Sequence, residues 1–258
     1  MMKHSKKKYV KSQKIDEKLA SIIRNQPAES NLGNIKFNEL GQGIALTESN
    51  YLISTFKYVD KNNLAIYIPE PDLIVLYFDA GRAYSRHLKK EKENLFANVK
   101  HADLLLKHFY NYFSVASITV INLFNSLEAA INRAIPNDYI HLEKAKGKHG
   151  ESFFQTDKEG IERDYSFEEK IKKILPKATN KDFAQKFGSK YEFLIKQLKP
   201  LRDDVIHSKT FNNSSIYQKL YNDMMNFDFE KGIYVVRDFI NFYHENLIEE
   251  CNCGQDSY

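Results

Sequence analysis

The chain has 258 residues, of which 42% are hydrophobic and 28% charged, with only 10 glycines and 6 prolines. This composition fits one large folded domain, or one domain with an added subdomain, and disfavours repeat architectures and long disordered linkers. The formal charge of +4 comes from six lysines in residues 1 to 14; the rest of the chain carries 32 basic and 34 acidic residues, which argues against a broad phosphate-binding surface.

Residues 1 to 14 contain no acidic residue and predict a basic, flexible tail. The tail lacks the apolar core of a secretory signal, and the uncharged stretch from residue 113 to 127 is too short and too polar for a membrane span. The two cysteines, Cys251 and Cys253, lie in a polar tail of residues 251 to 258, so neither a disulfide framework nor a metal site is expected. We therefore expect a soluble, cytoplasmic protein without a membrane segment, a metal or a cofactor.

The N-terminal region, residues 15 to 80, is predicted to be an α+β subdomain. A helix over residues 15 to 25 is followed by a loop from Pro27 to Ser49. Three short runs rich in β-branched and aromatic residues come next, separated by turn-forming clusters: residues 51 to 59, 64 to 68 and 73 to 78. These runs predict a small antiparallel β meander that the following helices cover.

The strongest periodic signal begins at Leu95 and places apolar residues at alternating steps of four and three as far as Ala134. This spacing predicts the buried seam of a long helix, either one continuous rod or a helix broken between Asn111 and Ser117. The polar segment from Pro136 to Ser166 contains three glycines and predicts a long loop or a poorly ordered insertion.

Further helices are predicted after this segment. Ser166 and Glu169 form a capping box in front of a helix that ends at Pro176. Ser189 caps the next helix, in which Pro200 predicts a kink or a restart.

Two last helices are predicted over residues 216 to 223 and 234 to 248. The predicted fold is therefore mainly α. It is an antiparallel helical bundle over residues 81 to 250 with a small N-terminal antiparallel β meander.

An arginine followed by a histidine a few positions later brings a fixed cation and a proton-transfer group together, which suits RNA phosphodiester chemistry. The spacing alone has little weight, because it occurs three times: Arg82 to His87, Arg202 to His207 and Arg237 to His244. The first pair begins a heavily charged segment, and the third lies in the last predicted helix. Only the second follows an apolar lead-in, has Asp203 directly after its arginine, and precedes a helix end at Ser208.

The segment from Leu201 to His207 resembles the signature of the HEPN superfamily (higher eukaryotes and prokaryotes nucleotide-binding), which is an arginine, then asparagine or aspartate, then a histidine a few residues on. Residues 123 to 132 look like the first core helix of that family, and residues 166 to 170 look like the start of its second. The resemblance covers roughly residues 95 to 250. It departs from the family at Asp203, where asparagine is commoner, and a carboxylate there lowers the local positive potential.

The resemblance implies a metal-independent endoribonuclease, often of toxin or phage-defence systems, whose site forms where two helical bundles meet in a homodimer. In that role His207 transfers a proton at the ribose 2′-hydroxyl or the leaving oxygen, and Arg202 stabilises the charge on the phosphorane. Asp203 completes the implied catalytic residues. The implied partners are an RNA substrate, a second copy of the chain, and an antitoxin such as a small nucleotidyltransferase. The sequence shows no acidic cluster with metal-ligand spacing, in agreement with chemistry that needs no divalent ion.

A second interpretation stays open. Positions five apart differ by about 140° around a helix, so Arg202 and His207 share a face only if the helix ends or distorts between them; otherwise a second copy must complete the site. Arg202 could instead pair with Asp203, Asp204 or a neighbouring helix, while His207 simply ends its own helix. The alternative function is a non-catalytic helical module for dimerisation or partner binding.

Overall fold

The computed structural model describes residues 9–25, 35–37, 42–47, 49–147, 150–207 and 214–251. The chain forms two compact units, one from Lys7 to Leu73 and one that takes in Ile74 to Tyr258. The boundary lies at Leu73 rather than at residue 80, because a helix begins at Leu73.

The first unit is a small antiparallel sheet with one helix. Its described elements are β1 (Ser12–Lys14), α1 (Glu17–Arg24), β2 (Ile35–Phe37), β3 (Gln42–Leu46), β4 (Tyr51–Val59) and β5 (Ala65–Pro69). The central strand is β4, which pairs with β3 along one edge and with β1 and then β5 along the other. Ile15, Ala20 and Leu46 form the core of this unit, and Ile23 and Leu52 pack against it.

Two predictions for this unit are wrong in part. The segment expected to be a flexible tail contains β1, and Val10 also forms a bridge with Pro71; residues 1–8 lie outside the described residues. The segment expected to be a loop contains β2 and β3, because the backbone of β3 pairs with β4 over five positions and buries Leu46. Gly41 and Gly43 interrupt the alternation of apolar residues that predicts a strand.

The run from Leu73 to Phe78, expected to be a third strand, is the start of α2 (Leu73–Ala97). A short apolar run does not distinguish a strand from a buried helix segment. The following residues identify a helix, because the buried positions of α2 continue at steps of four and three: Ile74, Phe78, Gly81, Ser85 and Leu88.

The second unit is mainly helical, in agreement with the predicted fold class. After α2, its described elements are α3 (Ala102–Ala134), β6 (His141–Gly147), β7 (Gly150–Thr156), α4 (Lys158–Asp164), α5 (Phe167–Glu169), α6 (Leu175–Thr179), α7 (Phe183–Lys186), α8 (Gly188–Phe193), α9 (Lys199–Ile206), α10 (Ser214–Asn226) and α11 (Phe229–Tyr243). The two-stranded sheet of β6 and β7 is antiparallel.

The core of this unit is built around α3, which runs for 33 residues without a break between Asn111 and Ser117. The predicted seam is interrupted earlier, at residues 98–101, so Leu95 belongs to α2. Helices α6, α9, α10 and α11 all pack against α3. Helix α2 lies close to α3 at Gly81, where an added Cβ atom would lie only 3.0 Å from Cγ of Leu123.

Helix α3 is also the one helix of the described residues that is long and apolar enough to cross a membrane. Half of its apolar segment is buried inside the molecule. Six of its apolar residues are fully buried: Ala116, Val120, Leu123, Leu127, Ala130 and Ile131. This burial is typical of a core helix.

The segment from Pro136 to Ser166 is ordered rather than a loop, except that residues 148 and 149 lie outside the described residues. It contains the β6–β7 hairpin and α4, which Asp157 caps by accepting a hydrogen bond from the Gly160 N–H. Apolar residues of this hairpin such as Leu142 and Phe153 are exposed, and its sequence does not alternate apolar with polar residues. Its sequence therefore lacked the usual strand signal.

Two prolines lie inside continuous helical runs, so the helix predicted to end at Pro176 does not end there. A π-turn (Lys170–Ile174) joins α5 to α6 before Pro176, and a second π-turn (Leu194–Leu198) joins α8 to α9 before Pro200. Because proline lacks an N–H and its ring clashes with the carbonyl four residues earlier, a widened turn accommodates it. The distortion predicted near Pro200 is therefore a π-turn that leaves Arg202 in the same helical run.

The helix ends show one confirmed cap and two shifted boundaries. The capping box of Ser166 and Glu169 is confirmed, with both reciprocal hydrogen bonds present. Ser189 is not the N-cap of α8, because that helix begins at Gly188, one residue before Ser189. The last predicted helix begins at Phe229 rather than residue 234, because Asp228 caps it.

Candidate functional site

Of the three arginine–histidine pairs, Arg82 and His87 lie in the middle of α2. The Arg82 side chain is 3% exposed, and its Nε–H donates to Oδ1 of Asp79 at 2.8 Å. His87 is exposed. The arginine is therefore committed to a buried ion pair and is not accessible to a substrate.

Arg237 and His244 lie in and just after α11. Arg237 donates through Nη2 to Oδ1 of Asp238 at 2.9 Å and lies over the ring of Tyr234. The His244 Nε2 atom lies 2.9 Å from the backbone carbonyl oxygen of Ala130. This histidine therefore ties the end of α11 to α3.

Arg202 lies on the side of α9 that packs against α3. Its guanidinium carbon is 4.6 Å from the centre of the Phe124 ring, which in turn packs against Phe167 at 4.6 Å. A guanidinium over a buried ring gains cation–π attraction and loses freedom of movement. The side chain is 22% exposed, so it is held in place while part of it still faces solvent.

Two carboxylates lie beside this guanidinium. Nη1 of Arg202 donates to Oδ1 of Asp203 at 3.0 Å, and Nη2 lies 3.9 Å from Oε2 of Glu128. The Nε atom is buried and has no hydrogen-bond partner among the described residues. Arg202 therefore keeps donor capacity that its protein neighbours do not use.

Asp203 itself bridges two cations, because it also accepts a hydrogen bond from Nζ of Lys199 at 2.7 Å. Burial by itself raises the pKa of Asp203, but the hydrogen bonds and charges of Lys199 and Arg202 outweigh it and lower the pKa from its ordinary value. Asp203 is therefore ionised at neutral pH and holds Arg202 by charge as well as by geometry.

Glu128 also lies near a second cation. Burial lowers the pKa of Lys170, while the charges of Glu128 and Glu162 raise it. The Lys170 ammonium donates to the Glu162 backbone carbonyl at 2.8 Å. Glu128 therefore lies in the field of both Arg202 and Lys170 and lowers the positive potential of both.

His207 is exposed and is the last residue whose position α9 fixes. Its backbone N–H donates to the Asp203 carbonyl at 2.8 Å, and its φ of −100° and ψ of 39° leave the helix. Helix α9 thus runs unbroken from Arg202 to Ile206, and the position of His207, directly after it, is displaced from Arg202 by about 140° around the helix axis. Ser208, the last residue of the sequence motif, lies outside the described residues.

The structure therefore brings Arg202 and Asp203 together, whereas His207 lies about 40° from Asp203 but about 140° from Arg202 around the helix and does not share the side of Arg202. The sequence did not single out Phe124, Glu128 or Lys199, which surround the guanidinium. Phe124 and Glu128 are four residues apart in the predicted seam helix, so their shared face was readable from the sequence. Their proximity to Arg202 could not be predicted from the sequence, because it depends on how α9 packs against α3.

The described residues contain no group of three or more His, Cys, Asp or Glu residues placed to hold a metal ion. Comparison with known proteins found no matching family model, no similar curated protein and no similar solved structure.

Proposed function

We propose that this protein is a metal-independent endoribonuclease of the HEPN type that cleaves RNA with Arg202 and His207. The observation that carries the proposal is the state of Arg202. Its guanidinium is fixed by the Phe124 ring and Asp203 and is partly exposed, while its buried Nε–H has no partner among the described residues. An arginine preorganised in this way suits a phosphate that carries developing charge.

The chemistry assigns one role to each residue. His207 takes the proton of the ribose 2′-hydroxyl, whose oxygen then attacks the adjacent phosphorus and breaks the bond to the 5′-oxygen. The 5′-oxygen takes up a proton from water as it leaves, so the products are a 2′,3′-cyclic phosphate and a 5′-hydroxyl. Arg202 neutralises the extra charge of the phosphorane, and Asp203 acts as a positioning residue that orients Arg202.

Within one chain, Arg202 faces α3 and His207 faces solvent. A single site therefore needs the arginine of one copy and the histidine of another, which a two-fold symmetric homodimer provides twice. We propose such a homodimer in the cytoplasm, in a toxin or phage-defence setting, with its activity restrained by an antitoxin or nucleotidyltransferase partner.

The first test measures RNA cleavage in EDTA. His207→Gln removes the proton-transfer group, so the rate falls by about 10²- to 10⁴-fold. His87→Gln is the matched control, because His87 is also an exposed histidine five residues after an arginine; its rate stays at the parent level. Equal loss in both variants, or no loss in His207→Gln, contradicts the proposal.

The shared site is tested by complementation. Dimers of Arg202→Ala alone and of His207→Gln alone are each inactive, but a heterodimer with one of each contains one site with both residues intact. Purified through two different affinity tags, this heterodimer recovers about half of the parent activity. A heterodimer as inactive as its parents would show that each site uses residues of one chain.

The non-catalytic alternative is favoured by one observation, the contact of Arg202 with both Asp203 and Glu128. In that case the arginine serves packing, and the bundle is a dimerisation or partner-binding module. Expression in cells separates the two functions. A ribonuclease slows growth and His207→Gln relieves the effect, whereas an interaction module gives the same growth with both chains.

A further inference from the structure

Two lysine-rich cavities lie in the second unit, away from the Arg202 site. The larger, of about 640 Å³, is lined by three lysines, but two acidic residues, Asp238 and Glu245, lie beside them. Nζ of Lys190 pairs with Asp238 at 2.7 Å, and Nζ of Lys181 donates to the Phe242 carbonyl at 3.2 Å. Most of the positive charge of this cavity is therefore used by the protein itself.

The smaller cavity, of about 430 Å³, has a different balance of charge. Four lysines line it with a single carboxylate and one histidine: Lys144, Lys172, Lys173, Lys177, Glu143 and His141. We call this the His141 cavity. An opening with this excess of cations favours an anionic ligand.

The histidine of this cavity is held rigidly at its wall. His141 is only 2% exposed, and its Nδ1 lies 3.3 Å from the hydroxyl oxygen of Tyr139. The ring also meets the Tyr165 ring edge to face at 5.5 Å, and the Tyr165 hydroxyl donates to Glu143 at 3.1 Å. Within the described residues, the one hydrogen bond of this imidazole runs through Nδ1.

Burial, and then the charges of Lys177 and Lys173, lower the pKa of His141, while Glu143 opposes them. The ring is therefore neutral at pH 7. When the Tyr139 hydroxyl donates to Nδ1, the proton of the neutral ring is on Nε2, which makes Nε2–H a fixed donor.

Three of the cavity's lysines, Lys172, Lys173 and Lys177, are available to a ligand. Lys172 and Lys173 pair with Glu168 and Glu169 one turn earlier, at 2.9 Å and 3.1 Å, in exposed contacts. Exposed pairs of this kind are weak, so a ligand of higher charge can displace them. Lys177 lies one turn after Lys173 and has no ion pair within the part of the chain that the structure describes.

We propose that the His141 cavity binds a phosphate group, with Lys173 and Lys177 as its cations and the imidazole of His141 as a hydrogen-bond donor. A phosphate offers several acceptor oxygens in a tetrahedral arrangement, which suits three donors that approach from two elements, β6 and the α5–α6 run. The ligand is either the terminal phosphate of an RNA or a free phosphorylated small molecule. This site shares no residue with the Arg202–His207 segment, so its test is independent of the proposed ribonuclease.

The test follows the imidazole signal of His141 by NMR during titration with inorganic phosphate, with sodium chloride of equal ionic strength as the reference. The parent chain shows a saturable shift in phosphate and none in chloride. Lys173→Gln with Lys177→Gln lowers the affinity by about tenfold or more, because it removes charge-assisted hydrogen bonds. Lys196→Gln is the matched control, since Lys196 forms the same kind of exposed pair with Glu192 outside the cavity; its affinity is unchanged.

The source of the phosphate is found with two further ligands, a nucleoside 5′-monophosphate and a short RNA with or without a 5′-phosphate. If the 5′-phosphorylated RNA binds tenfold more tightly than the monophosphate, the ligand is an RNA end. If the monophosphate and the 5′-phosphorylated RNA bind equally tightly, the ligand is a small molecule. An equal response to chloride and phosphate, or unchanged affinity in the double lysine variant, overturns the proposal. Circular dichroism of each variant shows that a loss of binding is not a loss of folding.

Discussion

The Arg82–His87 and Arg202–His207 segments have the same sequence spacing and occupy different environments. In α2, Arg82 is buried and donates to the largely buried carboxylate of Asp79. In α9, Arg202 lies over an aromatic ring, is shared between two partly exposed carboxylates, and leaves Nε–H unpartnered. Both histidines are exposed.

The difference teaches that the spacing of arginine and histidine does not identify a site, but the surroundings of the arginine do. A guanidinium with a buried partner has its charge compensated and contributes to stability. A guanidinium that is fixed but incompletely compensated can exchange a protein carboxylate for a phosphate. The two segments therefore predict opposite results when they are mutated.

The largest effect is expected in α2. Arg82→Ala removes the buried partner of the largely buried Asp79 carboxylate, so the free energy of unfolding falls by about 3–5 kcal/mol. Arg202→Ala removes two partly exposed ion pairs and the contact with the Phe124 ring, and it costs about 1–2 kcal/mol. Urea unfolding of both variants measures the difference. Similar losses for the two arginines would show that Arg202 is as much a structural residue as Arg82.

A smaller effect is expected at Glu128, which in the proposed reaction competes with phosphate for Arg202. Glu128→Gln removes that competition, and the kcat/KM for RNA cleavage rises by about 1.5- to 5-fold, as expected for a partly exposed ion pair. Glu162→Gln is the matched control, because Glu162 raises the pKa of Lys170 but does not contact Arg202. A fall in kcat/KM for Glu128→Gln would show that Glu128 contributes to the reaction rather than opposing phosphate binding.

The smallest effect is expected in the pH dependence of stability. The pKa of Asp203 in the folded chain lies below its ordinary value of 3.8, so its contribution is present above that value and is lost as the pH falls through the folded pKa. The difference in unfolding free energy between the parent and Asp203→Asn is therefore larger at pH 6 than at about pH 3. A difference that does not change with pH would mean that Asp203 is not held by charge.

Local signals in the sequence predicted a large part of the fold. The alternating steps of four and three located the core helix α3, and the Ser166 capping box located the start of α5. Both depend on neighbours within one or two turns, so the sequence contains them directly. The β6–β7 hairpin and the start of α2 were missed, because exposed strands and short apolar runs have no distinctive period.

The candidate site divides in the same way. The sequence by itself determined that Arg202, Asp203 and His207 lie on one helical run, and the helical repeat already separated Arg202 from His207. Only the tertiary structure decided that the guanidinium lies over Phe124 between Asp203 and Glu128, and that His141 lines a cavity with Lys173 and Lys177. Those contacts join residues far apart in the chain, so they depend on how the elements pack, which no local pattern records.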